Sequence, residues 1–270
     1  LRESYGTLAE FTHIKQAFTK LQQAYEESDI ADRKEDMMHA MSQPGFWQSR
    51  EKQEVLSHIE YYDRFEAAFD TTETLLERLK DPDKVRLEYD PSLLKKLAQK
   101  IYLLQASLQS YLKQEPQDAV LKISYEAQHA DWGKRIVEMY MAWAKRRKMI
   151  IKKVQAGTDT SEPFSVYYFS GFGCYAILQT EDGVHLQEWK PAKSKMVEKS
   201  RVRVSVLPLD SSEYHLVEEP PQLLKKFPEQ GRSKVIRRFN MDSQQCKDRV
   251  NKWQTGNIET VLKGLFDVME

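Results

Sequence analysis

The sequence has few of the residues that most enzyme and metal signatures require. Its 270 residues include two cysteines, Cys174 and Cys246. They have no C-x-x-C spacing, which excludes a cysteine-rich zinc site and a disulfide framework and fits a reducing compartment. No apolar run approaches the ~20 residues needed to cross a bilayer as a helix, so no membrane partner is expected. H-E-x-x-H, the phosphate-binding P-loop and the G-x-G-x-x-G fingerprint are all missing. No metal, cofactor or small-molecule substrate is therefore expected. Net charge is missing too, with 41 Lys+Arg against 41 Asp+Glu.

That balance hides an asymmetry. Residues 1–120 carry 16 basic and 22 acidic side chains, and residues 121–270 carry 25 and 19. Two surfaces with different tasks are implied, and the basic one suits a polyanion. The length favours two domains over one. The chain opens at Leu1 rather than Met. A processed form is expected, with any targeting peptide upstream.

The first third reads as helix. Leu8, Phe11, Phe18, Leu21 and Tyr25 share one helical face, and Val55, Ile59, Tyr62, Phe69, Leu76 and Leu79 make a second stripe. Asp90-Pro91-Ser92 opens a third, through Leu94, Leu97, Ile101, Leu104, Leu108 and Tyr111. Short links between such helices predict an antiparallel bundle. Past Glu115-Pro116 the pattern changes. Asp118–Ser124 reads as a strand and Asp131–Lys148 as a helix with Trp132, Ile136, Met139 and Trp143 inward. Met149–Val154, Phe164–Phe169, Cys174–Thr180, Val184–Trp189 and Arg201–Leu207 read as further strands. The fold class expected is α+β: a helical bundle over 1–115, then a mostly antiparallel sheet with helices over 116–209. Residues 210–234 read as a linker, and 235–270 as one strand and a closing helix, Ile258–Val268, returning to the α+β part.

Chemistry is hard to find. Gly171-Phe172-Gly173 reads as a hairpin loop, because no helix is expected after it to offer its N–H groups to phosphate. His185 near Asp182 reads as a structural histidine, and Cys174 as an inert core thiol. Cys246 lies among Lys247 and Arg249, the setting in which a thiolate is activated. No nucleophile meets a base.

The basic segment says more. Lys190, Lys193, Lys195, Lys199, Arg201 and Arg203 fall within fourteen residues, against one acid, Glu198. Strand alternation in Arg201-Val202-Arg203-Val204-Ser205-Val206 places both arginines and Ser205 on one face. A Lys-rich loop entering an Arg-bearing strand makes a phosphate track, because each neutralised phosphate releases counterions. Trp189, with Tyr167, Tyr168 and Phe169, could stack unpaired bases. Lys145–Lys148 with Lys152 and Lys153 form a second cluster, read as cations suited to a helix C-terminus. Lys234, Arg237 and Arg238 form a third.

Several passages resemble the bacterial-type class I peptide chain release factors, closest to the kind that reads UAA and UGA. They are Gly45-Phe46-Trp47; Glu126-Ala127-Gln128 with Trp132 and Met139-Tyr140-Met141-Ala142-Trp143-Ala144; and Tyr175-Ala176 through Thr180–His185. Ser205-Val206-Leu207-Pro208 follows, then Ile236-Arg237, Met241-Asp242-Ser243, Lys247-Asp248 and Val261–Leu265. The likeness runs from about Met41 to Val268. In that family a domain between the strand end and the tail carries a Gly-Gly-Gln motif. Here only 209–234 spans that place, and the chain contains no Gly-Gly pair. The family's Ser-Pro-Phe codon-reading tripeptide has Lys190-Pro191-Ala192 in its place.

The resemblance implies the family's domains 1, 2 and 4 without the catalytic domain, and hence a protein that is not an enzyme. Plastid members of the family that lack both motifs share this pattern. Likeness to them implies a chloroplast stromal protein, made with a transit peptide. It would bind single-stranded mRNA in a 3′ untranslated region, that of the transcript for cytochrome b of the bf complex, and block exonucleases. Lys190, Lys193, Lys195, Lys199, Arg201 and Arg203 would hold phosphates and Trp189 a base. The alternative is a ribosome-associated translation factor or regulator without hydrolytic activity.

Overall fold

The computed structural model describes residues 4–49, 52–79, 88–157, 162–192, 196–228 and 234–267. The chain divides into two compact units, Leu1–Glu115 and Pro116–Asp267.

The first unit is helical: α1 (Leu8–Glu26), α2 (Ile30–Met41), α3 (Lys52–Leu79) and α4 (Pro91–Leu112). Helix α1 starts at a capping box. The Thr7 side chain accepts from the Glu10 N–H at 3.2 Å, and the Glu10 carboxylate accepts from the Thr7 N–H at 3.0 Å. The Asp90 carboxylate caps α4, with Pro91 in the first turn, where no N–H is missed. Helix α3 runs against α1, with Phe18 beside Phe69 at 4.9 Å and Tyr25 beside Phe65 at 5.2 Å. The start of α3 lies against the end of α4, where Tyr61 stacks on Tyr111 and donates to the Ser107 carbonyl at 3.0 Å. The α4 stripe read from the sequence is buried throughout, while Leu8 of the α1 stripe is exposed.

The second unit is built on one eight-stranded sheet. Its strands are β1 (Asp118–Tyr125), β2 (Ile150–Gly157), β3 (Phe164–Ser170), β4 (Gly183–Trp189), β5 (Glu198–Leu209), β6 (Val235–Asn240), β7 (Gln245–Asp248) and β8 (Gln254–Thr255). Their spatial order is β2-β3-β1-β5-β4-β6-β7-β8, and among the described residues only β4 and β6 pair in parallel. Helix α5 (Ala130–Arg147) covers one face with Trp132, Ile136, Met139, Tyr140 and Trp143, all buried. The closing segment holds α8 (Ile258–Leu262) and packs Phe266 against Tyr140 and Trp143.

Three expectations need correction. Cys174–Thr180 is not a strand: Cys174–Leu178 is a short helix, α6, entered through Gly173 at φ 68°. Cys174, Ala176, Ile177 and Leu178 are all buried, and a short run buried on every side reads equally as strand or helix. A helix does therefore follow Gly171-Phe172-Gly173, although it is only five residues long. Residues 211–227 are not a bare linker. Asp210 caps a 3₁₀ segment, Ser211–Val217, and Pro220-Pro221 open α7 (Pro220–Lys225). Leu216, Val217, Leu223 and Phe227 then pack on Val120, Val166 and Tyr168. The prolines that read as a break in the chain sit where a helix tolerates them best, in its first turn. The tail holds three short strands rather than one, and α8 ends at Leu262.

Candidate nucleic-acid interface

Alternation along β4 and β5 fixes which side chains share a face. His185 reaches Tyr140 of α5 and pairs across the strands with Val202, so both point to the α5 side. Leu186 pairs with Arg201 and Val184 with Arg203, so these four point to the other side. On that other face the β1–β3 part is capped by α7 and the segment before it. Among the described residues of this unit, the β5–β4–β6–β7 part carries no such cap.

A groove of about 390 Å³ lies on this uncapped part. Lys199, Arg201, Arg203 and Arg238 line it, with Ser124, Tyr125, Val184, Leu186 and Val235, and the carboxylates of Glu126 and Glu162. Register brings in Arg238, because Leu186 of β4 pairs with both Arg201 of β5 and Arg238 of β6. The cations differ in how far they are already neutralised. Glu188 is shared, 3.6 Å from Lys199 and 3.5 Å from Arg238. Among the described residues Arg201 and Arg203 take part in no ion pair, and the Nε atoms of Arg203 and Arg238 are buried without a hydrogen-bond partner. Two guanidinium groups on one sheet face, with donors unspent, can hold an anionic oxygen in bidentate fashion.

The sequence-derived residues do not all converge. Lys199, Arg201 and Arg203 come together. Lys190 is exposed at the end of β4, where its backbone N–H donates to the Asp242 carboxylate at 2.9 Å. Lys193 and Lys195 lie outside the described residues. Trp189 pairs with Glu198 and falls on the α5 side, opposite the arginines, in a hollow with Trp132, Gln187 and Ser200. It cannot stack a base held in the arginine groove. Tyr168 and Phe169 are buried, Tyr168 beneath the 211–227 cap, so neither offers a stacking surface. In the helix-end cluster, Arg146 and Arg147 both bond the buried Asp267 carboxylate, and Lys152 pairs with Glu218. These cations serve the fold.

In the third cluster, Arg237 is fully buried rather than presented to a ligand. It forms a two-pronged pair with Glu181, both contacts at 2.8 Å, and bonds Asp248 at 2.6 Å. The Tyr140 hydroxyl donates to Glu181 at 3.0 Å and lies 3.0 Å from His185 Nε2. Burial, with the Arg237 charge nearby, holds His185 well below the usual imidazole range. Burial alone would lower the Arg237 guanidinium, but Glu181 and Asp248 more than reverse this and raise it. Enclosed on all sides, the network makes a structural centre. Cys174 and Cys246 are both buried and form no disulfide, and burial pushes the Cys174 thiol well up; burial removes the exposure that a reactive Cys246 needs. Among the described residues no group of three or more His, Cys, Asp or Glu is placed to hold a metal ion.

The PCRF domain matches residues 9–196, well over half the chain. The chain belongs to the class I release factor-like family. Among solved structures, RF2 of Thermus thermophilus is similar over 92% of this chain and 95% of that one, at 15% identity and a TM-score of 0.46. The family match reaches only to residue 196. It therefore ends just before β5, the strand that supplies Lys199, Arg201 and Arg203 to the groove. Arg238 was read from sequence only as part of a cluster with Arg237. Its separation from that buried neighbour needs the β6 alternation and the parallel register with β4, neither of which the sequence displays.

Proposed function

We propose that this release factor-like chain is a non-catalytic RNA-binding protein that holds single-stranded mRNA on the uncapped face of its sheet. The observation that carries the reading is the groove at Lys199, Arg201, Arg203 and Arg238, where two arginines have no acidic partner among the described residues. Backbone contacts of this kind position an RNA strand without reading its sequence. The absence of any Gly-Gly pair in the chain supports a protein without the family's hydrolytic motif. The resemblance of the whole pattern to plastid members supports a stromal location and a role in stabilising a transcript at its 3′ untranslated region. In that role the bound protein stops an exonuclease by steric blockade, and no bond is cleaved by the protein itself.

A protection assay tests this. A 5′-labelled single-stranded RNA carrying a 3′ untranslated region is challenged with a 3′→5′ exonuclease, with and without the protein. A discrete protected fragment that grows with protein concentration is expected. Digestion at the same rate to the same end point overturns the proposal. Association with ribosomes and no affinity for isolated RNA would favour the translation-factor alternative.

A further inference from the structure

Next to the groove lies a second hollow, of about 460 Å³, on the C-terminal strands. Arg238 lines both. Lys247, Arg249 and Lys252 also line the second hollow, together with the amides of Gln245 and Gln254. Register places residues that line the two hollows in one row: Arg201 pairs with Leu186, Leu186 with Arg238, Arg238 with Lys247, and Lys247 with Gln254. This row crosses five strands at right angles to them, and Arg201 and Lys247 are three strand spacings apart, roughly 14 Å.

The loop that carries Arg249 and Lys252 is held from beneath. One Asp248 oxygen accepts the N–H groups of Val250 and Asn251 at 2.9 and 2.7 Å, while the other bonds the buried Arg237. The Asp248 N–H donates to the Trp253 carbonyl at 2.8 Å, and the Arg249 N–H to the Ile236 carbonyl at 2.8 Å. Of the two carboxylates that line the hollow, Asp248 is therefore spent internally and Glu188 is shared between Lys199 and Arg238. Lys247, Arg249 and Lys252 are exposed, and none of the three forms an ion pair among the described residues. With Lys247 on β7 and Arg249 and Lys252 on an anchored loop, the backbone loses little freedom on binding an anion, and the ordering cost falls on the three side chains.

We propose that Lys247, Arg249 and Lys252 form a second phosphate-binding subsite, so that one RNA strand runs across the sheet from the arginine groove to the β7–β8 edge. The inference rests on the RNA-binding reading above and gives it a direction and a length. The test uses the intact chain and two oligouridylates, of about 16 and about 4 nucleotides, the span of known single-strand site sizes. Affinity is measured against salt for the parent, for Lys247→Ala/Arg249→Ala/Lys252→Ala, and for Arg201→Ala/Arg203→Ala. For a single strand each lost phosphate contact lowers the log–log slope by about 0.7. The triple variant is therefore expected to lose about 2 from its slope on the longer RNA and little on the shorter. The charge-conserving Lys247→Arg/Arg249→Lys/Lys252→Arg variant is expected to keep the parent slope, which separates charge from folding. An unchanged slope in the triple variant overturns the second subsite, while a loss confined to Arg201→Ala/Arg203→Ala leaves the groove standing without it. A parent that binds neither oligouridylate overturns both readings.

Discussion

Replacing Arg237 with Met should cost about 3–5 kcal/mol, because it leaves the Glu181 and Asp248 carboxylates buried without their counter-charge. Arg237 is 0% exposed, and Glu181 and Asp248 are 1% and 5% exposed. Neither carboxylate can turn to water without opening the sheet. Removing the guanidinium also frees one Asp248 oxygen, on the carboxylate whose other oxygen accepts the Val250 and Asn251 N–H groups of the 249–252 loop. Urea unfolding followed by tryptophan fluorescence suits the measurement, since Trp132, Trp143, Trp189 and Trp253 all report on the second unit. In thermal unfolding a loss of this size is a drop of roughly 6–20 °C. Two further outcomes are specific to charge burial. The deficit should be smaller at pH 5 than at pH 8, because Glu181, whose carboxyl burial already pushes upward, can take up a proton. The double variant Arg237→Met/Glu181→Gln should also be less damaged than the sum of its two single changes. A loss below about 1 kcal/mol, with no pH dependence, would refute the reasoning, because that is the range of an exposed pair.

Other outcomes follow from single contacts. Buried His185 stays neutral in the folded protein while the unfolded chain takes up a proton below about 6.5, so stability should fall as pH drops through that value. The single-group slope is at most about 1.4 kcal/mol per pH unit, and His185→Gln should flatten it. Leu223 is the fully buried residue of α7. Leu223→Ala should cost about 2–5 kcal/mol in urea unfolding, whereas a loose linker at that position would give less than about 0.5. Gly264 sits at φ 81°, and a Cβ there would lie 2.3 Å from the Trp143 backbone nitrogen. Gly264→Ala should therefore cost more than the roughly 1–2 kcal/mol of a left-handed backbone alone, measured by urea unfolding.

The elements that could be read from the sequence are those where one period dominates. Leu94 through Tyr111 repeat at helical spacing, and every member of that stripe is buried in α4. Val202 and Val204 alternate with Arg201 and Arg203, and the sheet separates them onto the faces that alternation requires. Where periodicity was weak, the reading failed. Cys174–Leu178 is apolar on all sides and has no phase to distinguish a turn of helix from a strand. The 211–227 cap looked polar because Ser211, Ser212, Glu213 and the two prolines dominate its composition, while its four anchors, Leu216, Val217, Leu223 and Phe227, are spread among them.

The site divides the same way. Lys199, Arg201 and Arg203 share a strand, so local alternation was enough to group them. Trp189 was assigned to the same surface by nearness in sequence, yet it sits one residue out of phase with Glu188 and therefore faces α5. Arg237 and Arg238 are adjacent in sequence and opposite in role. The first is buried among carboxylates and the second is shared by two hollows. Only the parallel pairing of β4 with β6 decides which is which. Lys247, Arg249 and Lys252 are close together in the sequence, but nothing in it links them to Arg201 and Arg203, more than forty positions earlier.

The most direct measurement compares the salt dependence of RNA affinity for the parent chain and for Arg201→Ala/Arg203→Ala, using one unstructured single-stranded RNA. If these two guanidinium groups hold phosphates, removing both weakens binding and makes the log–log slope shallower by about 1.4. Two superimposed lines, with equal affinity at every salt concentration, would contradict the claim that this face of the sheet grips RNA.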